Sequence, residues 1–241
     1  MNVAPKLIFL FNDADGFGVS ILRALQPSPN SSLRRLEESF ELPLERYGIR
    51  DRKASGDIVH FVDHDGHCQV TVLLLQNYEP PILVCAVSEV LASIKGESSS
   101  FIPTIILPCF IAASKLKVEK KYTVTSDKVA LYSAQIGPET DITQAMVAKT
   151  QKPPSSLQIH HEPLACFLQL IRVMKLPTCV LIGQSGNSQS QKNSEEELEV
   201  IYEMAELLAS ISSLCFLRER ITWKPSKTSK DNKEPWRALY G

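Results

Sequence analysis

The stretch EPLACFLQLIRVMKLPTCVLI, Glu162 to Ile182, decides the fold class, because the period of its apolar residues changes part-way along. Leu164, Phe167, Leu168, Ile171 and Met174 recur at the three- and four-residue spacing of one helical face, and Pro163 suits a first turn. Arg172 and Lys175 fall near the C-terminal end, where positive charge suits the helix dipole. Pro177 stops the helix. Thr178 to Ile182 is then continuously apolar or β-branched, the pattern of a strand buried on both faces.

Working outward, the strand empties into Gly183-Gln184-Ser185-Gly186-Asn187-Ser188, which reads as a flexible loop. Ser194 and Glu197 have capping-box spacing, and Leu198, Ile201, Tyr202, Ala205, Leu208 and Ala209 follow at helical intervals. Upstream, Thr104 to Cys109 and Lys128 to Ala134 read as core strands separated by a Lys-rich connection that can form a hairpin arm. Asp57 to Val62 and Gln69 to Gln76 flank Asp63-His64-Asp65-Gly66, where Asp-Gly marks a hairpin and predicts antiparallel neighbours. Pro80 and Pro81 precede Ile82 to Ile94, a helix by its proline start and Gly96 stop, although its Ile-Leu-Val opening also fits a strand.

At the N-terminal end, Lys6 to Phe11 reads as a buried strand running into the polar turn Asn12 to Gly16, with a short helix from Phe17 to Leu25. Residues 26–56 mix proline, serine and charge. Leu33, Leu36, Phe40 and Leu44 there suggest a helical excursion. A hairpin followed by a strand-helix-strand-helix series predicts an α/β fold whose central mixed sheet is flanked by helices on both faces. Residues 1–221 are expected to form a single α/β domain, and residues 222–241 a flexible basic tail.

With 241 residues, 44% of them hydrophobic, the chain can bury a sizeable core. Its 26 Lys and Arg nearly cancel 27 Asp and Glu, so no global field draws the body toward nucleic acid or an anionic membrane. The apolar run Leu7 to Phe11 is too short for a membrane span and lacks the flanks of a signal peptide, so the expected location is cytoplasmic or nuclear. Cys68, Cys85, Cys109, Cys166, Cys179 and Cys215 are scattered without close spacing, which suits reduced, buried thiols rather than disulfides or zinc.

Each motif that resembles chemistry meets a plainer explanation. His64, His67 and Cys68 beside Asp63 and Asp65 are metal-ligand types, but turns favour such polar residues in any case, and no second ligand pair follows at zinc-site spacing. His160 and His161 precede the Pro163 helix as exposed residues, caps or acid-base groups, with no nucleophile or orienting carboxylate beside them. Gly183-Gln184-Ser185-Gly186-Asn187 departs from a nucleophile elbow at Asn187. Asp15-Gly16-Phe17-Gly18 lacks the third glycine of a dinucleotide fingerprint and reads as a tight turn. Glu195, Glu196, Glu197 and Glu199 suit a helix start. The tail carries Arg218, Arg220, Lys224, Lys227, Lys230, Lys233 and Arg237 against Glu219, Asp231 and Glu234, which suits an acidic partner or simple solubility. The expectation is a protein without catalytic residues, metal or cofactor that works by binding other proteins.

Between Thr104 and Leu208, the Thr-Ile-Ile-Leu-Pro-Cys strand, the His160-His161-Glu162-Pro163-Leu164-Ala165 helix start and the Met174-Lys175-Leu176-Pro177-Thr178 junction resemble the proteasome assembly chaperone one family. The resemblance covers about half the chain and does not extend to the first 60 residues or the His64 and His67 hairpin tip. Leu239-Tyr240-Gly241 resembles the hydrophobic-tyrosine-any tail of proteasome activators and some assembly chaperones. The resemblance implies a non-enzymatic chaperone that binds proteasome α-subunits through these three residues and pairs with a second assembly chaperone during assembly of the 20S core particle. No contact with nucleic acid or membrane is expected, on the balanced charge noted above. The family fold is similar to that of nucleoside phosphorylases, which leaves a small-molecule enzyme as one alternative and a generic scaffold as another.

Overall fold

β1 (Lys6–Phe11) stands fourth in a seven-stranded mixed sheet of the computed structural model, which describes residues 1–96, 101–111, 116–117, 131–155, 157–159, 161–184 and 193–221. From β1 the chain runs through α1 (Phe17–Ala24), β2 (Leu25–Pro27), β3 (Arg34–Pro43), β4 (Lys53–Val62), β5 (Cys68–Leu75), α2 (Ile82–Lys95) and β6 (Thr104–Ile111). It continues through β7 (Leu116–Lys117), β8 (Leu131–Ile136), α3 (Asp141–Lys149), β9 (Gln158–Ile159), α4 (Glu162–Met174), β10 (Thr178–Gln184), α5 (Asn193–Ser212) and β11 (Leu214–Phe216). The sheet order is β3-β4-β5-β1-β6-β10-β8. β5, β1, β6 and β10 are parallel, and antiparallel strands close both edges.

Alternation along β1 sorts the core into two layers. Leu7 and Phe9 face α2 and α4, meeting Leu83, Val87, Val90, Phe167 and Ile171. Ile8 and Leu10 face the other way, toward Ile21 of α1, Met146 of α3 and Ile201, Met204 and Leu208 of α5. All these side chains are buried, so the sheet is covered by helices on both faces as its sequence pattern predicts. Gly183 lies in β10 opposite Leu131, and a Cβ there would meet Met204 Cε at 2.6 Å and Val200 Cγ1 at 2.7 Å. This glycine lets α5 pack closely against the sheet, and β10 continues through Gln184, beyond the strand end expected at Ile182, by pairing Gly183 with Phe110 and Gln184 with Ile111 of β6.

The helical excursion expected within residues 26–56 is a strand instead. β3 pairs antiparallel with β4 over its whole length, from Arg34 opposite Val62 to Pro43 opposite Lys53. Leu36, Phe40 and Leu42 share one strand face, and Phe40 and Leu42 pack against the α2 side of the core. The spacing of Leu36 and Phe40 satisfies a helical and a strand period alike, and pairing with β4 decides between them. Ile82–Lys95 resolves as a helix. α3, unforeseen in the sequence, begins on a reciprocal cap in which Thr143 N donates to Thr140 Oγ1 and Thr140 N donates to Thr143 Oγ1. The expected strand at Lys128 to Ala134 is met by β8 from Leu131, its first three residues lying outside the described residues. α5 is present where the Ser194 and Glu197 spacing predicts a helix, but it starts at Asn193, so Ser194 stands inside its first turn rather than before it, and the loop at Ser185 to Ser188 lies outside the described residues.

Candidate functional site

In a parallel sheet, ligands enter where adjacent strands send their connections to opposite faces, at the strands' carboxyl ends. That point lies here between β1 and β5, since β1 leads into α1 on one face and β5 into α2 on the other. The polar groups at this mouth are already engaged. Asn12 N donates to Leu75 O at 2.8 Å, and Asn12 Nδ2 donates to Gln76 Oε1 at 2.8 Å. Tyr78 Oη accepts from Ser55 N at 2.7 Å and donates to Lys53 O at 2.9 Å, tying the segment after β5 to β4.

Asp13 decides what the start of α1 can hold. The N-cap Gly16 has φ +75° and no side chain with which to cap, so Asp13 reaches over the turn. Its Oδ1 accepts from Phe17 N at 3.0 Å and its Oδ2 from Gly18 N at 2.9 Å. A phosphate at a helix start would use these same amides. A Cβ on Gly18 would lie 2.1 Å from Phe11 O, so this glycine serves the close passage of α1 over β1. The Asp15-Gly16-Phe17-Gly18 fragment is thus a carboxylate-capped turn. Cys109, buried near the same mouth, has its thiol pushed up to about 12 by burial, with the Asp13 charge adding to the effect. It is held protonated and is a poor nucleophile.

The hairpin tip has the hydrogen bonding of a closed turn. Asp63 Oδ1 accepts from His67 N at 2.9 Å and Asp65 N at 3.0 Å, while Oδ2 accepts from Gln69 Nε2 at 2.8 Å. The His67 backbone bond is the main cause of a carboxyl held below its usual range. Ligand atoms of Asp63, Asp65 and His67 do lie within 4.8 Å of one another, but both Asp63 oxygens are occupied in shaping the turn. His64 Nε2 sits 3.2 Å from Asp65. The His161 side chain accepts from Leu164 N at 3.3 Å and so caps α4, one of the roles read from the sequence; His160 lies outside the described residues.

One nucleophile-base pair escaped the sequence reading. Cys68 Sγ lies 3.2 Å from His60 Nδ1, and Thr71 Oγ1 stands 3.0 Å from that nitrogen and 3.4 Å from the sulfur. The three meet across the β4–β5 hairpin at the end away from the carboxyl-end mouth, where the register shifts between Phe61 and Val62. Burial raises the thiol and lowers the imidazole, with Glu38 opposing the latter, so both are neutral near pH 7. A neutral pair of this kind is a packed polar cluster rather than an activated thiolate. Its signal in the sequence is only an eight-residue separation across a hairpin turn. All six cysteines are unpaired; Cys109 and Cys179 are buried as expected, whereas Cys68, Cys85, Cys166 and Cys215 are partly exposed. Leu239, Tyr240 and Gly241 lie outside the described residues. Among those described, no helix is long and apolar enough to cross a membrane.

These features define a three-layer α/β protein with a mixed central sheet. The chain belongs to the family described as "Domain of unknown function (DUF7894)", whose model matches residues 1–241. No curated protein matches the sequence. Among solved structures, PbaB of Pyrococcus furiosus, an archaeal proteasome activator, is similar in fold with a TM-score of 0.53 at 9% identity, over 92% of this chain and 89% of that one. A protein of unknown function from Thermoplasma acidophilum aligns with a TM-score of 0.52 at 10% identity, over 91% and 83% of the two chains. A Mycobacterium tuberculosis protein of unknown function does so with 0.51 at 10% identity, over 89% and 72%.

Proposed function

We propose that this chain is a non-enzymatic chaperone that binds proteasome α-subunits and promotes assembly of the 20S core particle as a heterodimer with a second assembly chaperone. The observation that carries the reading is the likeness of fold to PbaB across 89% of that protein, and the reading assigns the ring contact to the segment Leu239-Tyr240-Gly241. The chemistry of that segment suits a pocket between ring subunits. The Tyr240 ring buries apolar area while its hydroxyl keeps a hydrogen bond, and Leu239 adds apolar contact. The basic residues preceding it suit an acidic surface. The cytoplasm and nucleus are the compartments this role requires.

The test is affinity purification of the tagged chain from cells, with and without its last three residues. Proteasome α-subunits and a second chaperone are expected with the full chain, and fewer α-subunits with the truncated one. Recovery of no α-subunit in any condition overturns the reading, and undiminished recovery after truncation removes the tail from it.

A second reading, a nucleoside- or phosphate-using enzyme, is favoured by the crevice between β1 and β5. Asp13 already holds the Phe17 and Gly18 amides there, so a melting screen against nucleosides and inorganic phosphate is expected to stay flat. A shift that grows with ligand concentration would favour the enzyme instead.

A further inference from the structure

β3 ends the sheet, and no strand among the described residues pairs with its outer edge. Its first half reads Arg34-Arg35-Leu36-Glu37-Glu38, two cations and two anions placed symmetrically about one apolar residue. Read against an antiparallel copy of itself with the two-fold axis at Leu36, every position meets its complement. Arg34 faces Glu38 of the second copy, Arg35 faces Glu37, and Leu36 faces Leu36. Facing residues keep the same parity, so Arg34, Leu36 and Glu38 stay on one face of the joined sheet and Arg35 and Glu37 on the other. Four ion pairs and one apolar pair then lie directly opposite one another, the arrangement that stabilises adjacent antiparallel strands.

Two details of the edge point the same way. Leu36 is 47% exposed although its neighbours along the edge are charged. Arg35, only 19% exposed, pairs with Glu37 of its own strand and reaches Leu22 O at 3.5 Å, yet its Nε is buried without a hydrogen-bond partner among the described residues. An antiparallel copy brings a second carboxylate, its Glu37, to the side of the sheet where Arg35 lies. Charges on an edge strand commonly serve to keep other strands away. Repulsion of that kind works with one sign or any mixture, whereas the order here is attractive in one antiparallel register and repulsive in a parallel one, where Arg34 and Arg35 would face arginines.

We infer that β3 is a self-association edge, and that its partner is a second copy of this chain joined antiparallel about Leu36 to make one continuous sheet from two. The contact leaves both helical layers uncovered, so it does not rest on the chaperone reading and stands or falls apart from it. Association through main-chain hydrogen bonds at a sheet edge has its affinity in the backbone and its specificity in the side-chain order.

Sedimentation velocity on the full chain tests it. Wild type is expected to dimerise with rising concentration and to dissociate with added salt, because the pairs are exposed. Arg34→Glu with Arg35→Glu, and separately Glu37→Arg with Glu38→Arg, are each expected to weaken self-association by roughly tenfold or more, since attraction becomes repulsion at four positions. Mixing the two variants restores every pair and is expected to restore the dimer, as is the chain carrying all four changes. Should a charge variant unfold by circular dichroism, Leu36→Cys replaces it: facing Cβ atoms lie about 4.5–5.5 Å apart, so mild oxidation yields a covalent dimer. Glu41→Cys, away from the axis, is the control and should not. A wild-type monomer at roughly 100 μM, where a Kd near 10 μM leaves mostly dimer, overturns the inference. So does a dimer unchanged by both charge variants, or one that links through position 41 as readily as through 36.

Discussion

Replacing Asp13 by alanine removes two acceptors at once, and the structure sets the size of the effect. Oδ1 and Oδ2 take the Phe17 and Gly18 amides, the first two of α1, where Gly16 offers no side chain of its own. A hydrogen bond to a charged group contributes about 1.5–3 kcal/mol, and loss of a helix cap costs about 0.5–2 kcal/mol. The turn is partly buried, so water recovers some of each bond, and a net loss of about 2–3 kcal/mol is expected for Asp13→Ala. For a domain of this size each kcal/mol moves the melting point by about 2–4 °C, so thermal unfolding should fall by roughly 4–12 °C. Asp13→Asn keeps one oxygen without its charge and should lose about half as much. Differential scanning calorimetry on the three proteins in phosphate-free buffer measures this. If Asp13→Ala melts within a degree of wild type, the carboxylate is not holding the α1 amides, and the start of that helix is open to an external anion after all.

The Phe167 ring is fully buried at 4.8 Å from Phe9 and 6.1 Å from Phe11, so Phe167→Ala should cost about 3–5 kcal/mol in urea unfolding, and a loss below about 1.5 kcal/mol would contradict the packing of α4 on β1. Burial depresses the His60 imidazole in the fold, so below its ordinary pKa of about 6.5 the unfolded chain binds the extra proton. Stability should therefore fall as pH drops through and below that value, and His60→Gln should flatten part of the decline; equal pH slopes for the two proteins between pH 7.5 and 5 would show that the imidazole is not desolvated.

The features legible in the sequence are those whose cause lies within a few residues. β1 declares itself by the unbroken apolar run Leu7 to Phe11, the β4–β5 hairpin by Asp-Gly, and α4 and β10 by a change of period around Pro177. These sufficed for an α/β fold with a mixed sheet covered on both faces. The function reading rested on a resemblance and on Leu239, Tyr240 and Gly241, whose meaning depends on a partner rather than on this chain's packing. What sequence could not settle was decided by groups brought together from far apart. β3 is a strand because β4 pairs with all of it, although Leu33, Leu36, Phe40 and Leu44 carry a helical spacing. Gly183 is a packing position because Val200 and Met204 press on it, and the Cys68–His60 pair exists because a bulge sets the hairpin register. Even the charge order Arg34 to Glu38, plain in the sequence, acquired significance only once β3 proved to be the open edge of the sheet. Local pattern specifies which elements form, because propensity and periodicity act between chain neighbours. Tertiary contacts decide which edge is free and which side chains meet, because those depend on register between segments that the chain itself leaves far apart.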